Sequence, residues 1–428
     1  MSAPARQARP PRARRRWRWR WRRIVLLLCA VPLALLLALW LALPPERAIP
    51  MVLGRLGASM GLEIGAEGDA ATHLGRQPMI VVRNLVVREP GAARPLLRAR
   101  RAEVALPWRT IRGLGDPLEL VRIELDAPRL DLPALRHWLA SRPPGDGRLP
   151  TLSEGLHVRE GRIDGDGWRV ESLALDMPQL REDAPVRARA SGRYADAATR
   201  APFDLAATLQ RPASGRGFAV VGALAPARAD WRLPMQATLS GALHWDDALA
   251  LLPARFGASG RYESGDTVVP FIVGLHGPLR AHGPAWSLVP ASLTLRGGGL
   301  VPQLDARGRL ALGQRLLLRL DGRIAQWPAQ WPALPPPLGA STQPLALSVD
   351  YLGPLDLGAP FGLRVARDDL RFDGHLDLPG LMAWAGTLDQ GSLLPPVTGR
   401  LEASAMDISG ARLEGIRIEF EDEAAPAP

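Results

Sequence analysis

Through much of this chain apolar and polar side chains alternate one by one, and a period of two leaves few folds open. Leu370, Phe372, Leu376 and Leu378 oppose Arg371, Asp373, His375 and Asp377. In Arg315–Asp321, Leu316, Leu318 and Leu320 fall on one side, with Arg319 and Asp321 on the other. Leu345, Leu347, Val349 and Tyr351 alternate with Ala346, Ser348 and Asp350, and Ile416, Ile418 and Phe420 alternate with Arg417, Glu419 and Glu421. Successive side chains of a strand point to opposite faces, so such text builds a sheet with one dry and one wet face, as antiparallel sheets have. With 43 glycines and 42 prolines, long helices are largely excluded. The expectation is a mainly β chain.

Turn signals punctuate it. Asp164-Gly165-Asp166-Gly167 lies between two alternating runs and predicts a hairpin; Asp321-Gly322 and Asp373-Gly374 predict turns, or bulges in long strands. Short helices are expected at Met51–Met60, Pro133–Ala140, Asp246–Pro253 and Pro379–Ala385. Proline-rich breaks at Arg142–Pro150 and Trp327–Pro337 serve either as linkers or as loops over one continuous sheet. No sharp internal repeat is present. Because few helices are available to cover the apolar side, a sandwich, a barrel or an open trough filled from outside all satisfy the pattern.

The net charge of +10 describes a tail. Met1–Arg23 holds ten arginines and no acid, while Ile24–Pro428 balances 43 basic residues against 43 acids. A basic chain of this kind is therefore not read as a nucleic-acid binder. Ile24–Leu43 is twenty residues without a charge. At about 1.5 Å per residue it spans roughly 30 Å, enough for a bilayer core, and a transmembrane helix tolerates Pro32. A cleaved signal peptide is the rival, but its apolar centre is usually about 7–15 residues and ends in a small-x-small site, which Leu41-Ala42-Leu43-Pro44-Pro45 matches poorly. Arginines on one flank, against Glu46 and Arg47 on the other, place the N-terminus in the cytoplasm and the body across the membrane. Trp17, Trp19 and Trp21 suit the headgroup level. Cys29, the only cysteine, falls inside the apolar run, so the body must be stable without a disulfide. No lysine occurs and Asn84 is the sole asparagine, a skew of coding composition that points to no function.

No catalytic or metal site emerges. Gly57-Ala58-Ser59-Met60-Gly61 has the spacing of a serine-hydrolase elbow but lacks the strand before it that the elbow needs. The histidines are scattered; His276 and His282 are the nearest pair, with no cysteine or clustered carboxylate beside them. Asp164 and Asp166 lack the rest of a calcium loop's ligand series, and Gly297-Gly298-Gly299 has no following Lys-Ser/Thr to make a phosphate loop. Neither enzyme chemistry nor a cofactor is expected.

Several stretches resemble the AsmA-like proteins of Gram-negative bacteria, which are related to TamB and to bridge-like lipid-transfer proteins. Gly61–Ala66, Leu74-Gly75-Arg76 and Met79–Glu89 resemble that family's opening strands. Leu96–Leu106 with Leu118–Leu132 resembles the next ones; Leu156–Leu175 and the closing Leu393–Glu419 share the same texture. The resemblance runs through most of the chain as strand-and-glycine texture, not as an invariant motif. It implies a single N-terminal transmembrane helix followed by a long, twisted β-groove whose hydrophobic floor holds acyl chains. On that reading the organisation is a basic cytoplasmic tail (1–23), an inner-membrane anchor (24–43), a first β region (44–141), a Pro/Gly loop (142–150), a continuing periplasmic groove (151–420) and an acidic disordered tail (421–428). The groove residues would be Leu316, Leu318, Leu320, Leu345, Leu347, Val349, Leu370, Phe372, Leu376, Leu378, Ile416, Ile418 and Phe420, with phospholipid as the ligand and outer-membrane or envelope proteins as further partners. The alternative is an assembly scaffold of the TamB or type II secretion N-component kind, which would close its apolar face and work through strand edges.

Overall fold

A computed structural model describes residues 57, 61–73, 77–107, 119–141, 151–245, 248–283, 285–328, 330, 341–355, 357–377, 380, 397–408 and 411–420. The alternating runs form strands β1 (Glu63–Ala66), β2 (Ala70–His73), β3 (Met79–Arg88), β4 (Leu97–Ala105), β5 (Glu119–Asp126), β6 (Arg129–Asp131), β7 (Thr151–Asp164), β8 (Trp168–Met177), β9 (Val186–Asp196), β10 (Arg200–Leu209) and β11 (Arg216–Leu224). They continue as β12 (Met235–His244), β13 (Ala250–Ser264), β14 (Thr267–His282), β15 (Ala285–Gly297), β16 (Leu304–Leu312), β17 (Leu316–Ile324), β18 (Leu345–Gly353), β19 (Phe361–Arg367), β20 (Leu370–Leu376), β21 (Val397–Ile408) and β22 (Ala411–Phe420). One helix, α1 (Leu132–Ala140), completes the described elements.

All 22 strands belong to one sheet. β1 and β2 lie end to end along β3, and β5 and β6 lie end to end between β4 and β7, so the strands occupy twenty positions. From β7 onward each strand pairs antiparallel with its successor. The exception is β5 and β6, which run parallel to β7; α1 lies within the connection that such a crossover requires. Twenty positions about 4.8 Å apart give a path of roughly 90 Å across the strands. Among the described residues β22 pairs only with β21, so the sheet closes into no barrel.

Two expectations need correction. Asp321-Gly322 and Asp373-Gly374 make neither turns nor bulges: β17 and β20 pass through them in unbroken register. Glycine is used there for close backbone approach, since a Cβ on Gly322 would sit 2.4 Å from the carbonyl oxygen of Asp305. The helix predicted over Asp246–Pro253 is overridden by the sheet. Ala250 and Leu251 pair with His244 and Leu243, and Leu251 is buried, a gain that two turns of marginal helix cannot match. The hairpin at Asp164–Gly167 is present, closed by the Gly165 N–H on the Trp168 carbonyl at 2.8 Å, with Gly167 at φ 79°. The Pro133–Ala140 helix is present as α1, where Asp131 caps the helix by accepting from the Ala134 N–H at 2.9 Å and Pro133 occupies the first turn. Apart from Gly57 and Gly380, the helices expected at Met51–Met60 and Pro379–Ala385 lie outside the described residues, as do 1–43, 142–150 and 421–428.

Two seams cross the sheet. In the first, Asn84, Ala127, Glu160 and Ser172 adopt φ between 48° and 53° in β3, between β5 and β6, in β7 and in β8. At β7 and β8 the register shifts there, so Leu156 and Val158 before the seam share a face with Gly161 and Ile163 after it. The second seam crosses β12 to β15, where shifts flank Gly241, Pro253, Gly277 and Pro290. Prolines cannot donate to a ladder, and bulges are where a sheet accepts them.

Candidate functional site

Tracing residue partners from strand to strand shows what the alternation achieves. One row runs Val82, Ala102, Leu125, Val158, Leu175, Ala190, Leu205, Gly222, Ala237, Ala258, Val273, Leu295, Leu304, Ile324 and Leu345, from β3 to β18. A second runs Ala188, Ala207, Val220, Leu239, Phe256, Leu275, Leu293, Ala306, Gly322, Leu347, Val365, Phe372, Leu401 and Ile418, from β9 to β22. Neither row contains a polar side chain. A shorter third row is a ladder of leucines, Leu243, Leu251, Leu279, Leu288, Leu310 and Leu318, ending on Tyr351. Tyr351 stacks on Phe361 with ring centres 4.4 Å apart and donates its hydroxyl to the Pro354 carbonyl at 2.7 Å.

This face is apolar, yet only patchily covered. Of the second row's fourteen residues, Ala306 and Leu401 are buried and the other twelve are half-buried. Among the described residues, Leu345 and Leu370 are the large side chains with less than 2% of their surface exposed. Among the described residues three separate clusters form. Leu62, Val87 and Leu96 pack with Leu135 and Trp138 of α1. Leu251, Ala254, Leu288 and Ala291 make the middle cluster. Ile324, Leu345, Leu370 and Leu401 make the third, with Trp327 folded against them. Helix α1 thus covers the face at its first strands. From β9 to β22 the face is about 60 Å long and three rows wide, on the order of 1,000 Å².

The opposite face is charged and locked by cross-strand ion pairs. Arg189 grips Asp204 with two bonds of 3.0 and 2.7 Å, Arg296 grips Asp305 with two of 2.8 Å, and Arg364 and Arg319 both hold Asp350. The hydrogen bond from Arg189 holds the Asp204 carboxyl below the usual carboxylate range; Arg169 does the same for Glu171 two residues along β8, and Arg181 for Asp183 in the connection between β8 and β9. Behind β17–β21 this face carries a shallow hollow of about 590 Å³, floored by Ala346 and Ala366 and lined by Arg364, Arg371, Arg400, Asp373 and Glu402. Its alternating charges offer no field of one sign to a ligand.

The structure gathers the sequence-predicted set. Leu316, Leu318 and Leu320 of β17, Leu345, Leu347 and Val349 of β18, and Leu370, Phe372 and Leu376 of β20 share the apolar face with Ile416 and Ile418 of β22. Phe420 takes its register position opposite Gly399, on that face, and Leu378 lies outside the described residues. Sequence reasoning missed the longer part, from Ala188 to Leu293, and the interleaved Leu363, Val365 and Leu401. The period of two was present there too, with small residues such as Ala188, Ala190, Ala207 and Gly222 among the larger ones. Of the rejected motifs, Ser59 lies outside the described residues and His276 and His282 are both exposed on β14. Among the described residues no three His, Cys, Asp or Glu side chains gather as a metal site, and no helix is long and apolar enough to cross a membrane. Comparison with protein-family models, curated proteins and solved structures gives no match to this chain.

Proposed function

We propose that the apolar face is a lipid-binding groove and that the chain holds phospholipid acyl tails along it, with the headgroups turned outward to water. The observation that carries this reading is the pair of unbroken apolar rows, one from β3 to β18 and one from β9 to β22, the second of them mostly half-buried. Each methylene moved from water onto such a surface gains about 0.8 kcal/mol, so tails of ordinary length bind without a charged residue on the floor. A bilayer core about 30 Å thick holds two layers of tails, about 15 Å each. A face about 60 Å long therefore takes several tails in file. The charged opposite face keeps its own side wet and directs lipid to one side only.

With the apolar run at Ile24–Leu43 as an inner-membrane anchor and the body in the periplasm, the groove would receive lipid from the membrane and take part in envelope lipid homeostasis. The AsmA-like texture of the strands supports the same reading. The experiment is native mass spectrometry with lipid extraction on the full chain purified in mild detergent. Phospholipid retained at defined stoichiometry is the expected result. A stable protein stripped of lipid, that takes up none when phospholipid is added, would mean that the face packs on itself.

A further inference from the structure

β22 ends the sheet with one edge free of any strand partner among the described residues. Natural sheets usually blunt such an edge with charge. Here the charges are ordered. On the polar face one row ends Arg371, Glu402, Arg417 and its neighbour ends Asp373, Arg400, Glu419, each alternating in sign up to the edge. Arg417 bonds Glu402 at 3.0 Å and Arg400 bonds Glu419 at 2.9 Å, and Arg417 and Glu419 remain more than half exposed. On the other face Ile416 and Ile418 carry the apolar rows to the last strand.

We propose that two copies of this chain join edge to edge through β22, antiparallel about a two-fold axis at Ile418. A two-fold axis normal to the sheet keeps each face with its like, and this leaves few registers. Centring on Arg417 or on Glu419 sets like charges directly opposite, which is unfavourable. Centring on Ile416 sets Ile418 against Glu414 and Glu419 against Leu413. Centring on Ile418 sets Arg417 against Glu419 twice and the position of Ile416 against that of Phe420 twice. Both charge rows then continue into the second copy with their alternation intact, and the apolar face runs on without a break. Among the described residues this register pairs positions 416–420 of one copy with 420–416 of the other. Five residues a side bury well under the roughly 1,000 Å² of a stable complex, so the association is concentration-dependent. It stands independently of what the apolar face binds.

The test uses the full chain in detergent with Cys29→Ser as background. Ile418→Cys and, as a control on the same strand, Arg412→Cys are exposed to mild oxidant and run on non-reducing gels. Light scattering measures the mass of the parent chain over a concentration series. The expected result is a disulfide-linked dimer with Ile418→Cys in several-fold excess over Arg412→Cys, and a mass rising toward twice the monomer with concentration. Equal cross-linking at both positions, or a monomer without cross-link throughout, overturns the proposal.

Discussion

Two substitutions on one strand separate the faces. Leu239 of β12 lies in the apolar row between Val220 and Phe256 and is half-buried; Gln236, three residues away, is exposed on the polar face opposite Ser259. Leu239→Asp and Gln236→Asp introduce the same residue into the same strand, so the poor strand propensity of aspartate is common to both. Full burial of a leucine contributes about 1.5–3 kcal/mol, so half-burial contributes about 1 kcal/mol. A carboxylate partly desolvated among Val220, Leu239's former neighbours and Phe256 costs roughly a further 1–3 kcal/mol. Without lipid, Leu239→Asp should therefore lose about 2–4 kcal/mol of stability in urea titrations, and Gln236→Asp should stay within about 0.5 kcal/mol of the parent. A tail laid along the row buries on the order of four methylenes at this point, about 3 kcal/mol in all. Binding of a fluorescent phospholipid at this segment should weaken about 100-fold in Leu239→Asp and not in Gln236→Asp. Equal weakening in both variants, or full binding by a folded Leu239→Asp protein, would refute the reasoning.

Other consequences are purely structural. Ala127 holds φ 48° with no side chain able to bond its own backbone, so Ala127→Gly should raise stability by about 0.5–1 kcal/mol in the same titrations. A Cβ on Gly155, at φ 84°, would sit 1.8 Å from the Met177 carbonyl oxygen, and Gly155→Ala should cost several kcal/mol, on the order of 3 or more, seen as a large fall in the unfolding midpoint. Acid should weaken the fold modestly through its exposed ion pairs. Hydrogen bonds from Arg189, Arg169 and Arg181 depress Asp204, Glu171 and Asp183, so their contribution is complete above the unfolded carboxylate range near pH 4 and is lost as pH falls below it. The thermal midpoint should be flat from pH 7 to about pH 5 and drop below about pH 4. The drop should shrink in Asp204→Asn.

The sheet was legible wherever large residues alternate, as at Leu316–Leu320 and Leu370–Leu376, because leucine against arginine marks a face unambiguously. It was legible to a lesser degree where the dry positions are Ala188, Ala190, Ala207 and Gly222, since small residues carry little hydrophobic signal and earn their place by letting strands approach. The seams were not legible. A left-handed Glu160 or Ser172 shifts the alternation by one residue, and nothing in those side chains announces it. The Asp-Gly pairs misled because the same dipeptide that closes a hairpin at Asp164–Gly167 also suits close strand contact at Asp321-Gly322 and Asp373-Gly374. The local pattern at Asp246–Pro253 favoured a helix, and only the long-range pairing of Leu251 with Leu243 and Leu279 decides for strand.

The most direct test of the lipid reading places a photoreactive amino acid, one position at a time, on adjacent residues of opposite faces in living cells. Val220, Phe256, Leu293 and Leu347 sample the apolar row, and Val221, Arg255, Ser292 and Ser348 sample the charged face beside each of them. Illumination followed by mass spectrometry should find phospholipid adducts at the first four positions and none at the second four. Adducts spread evenly over both sets, or absent from the first while the protein is folded, would contradict the account.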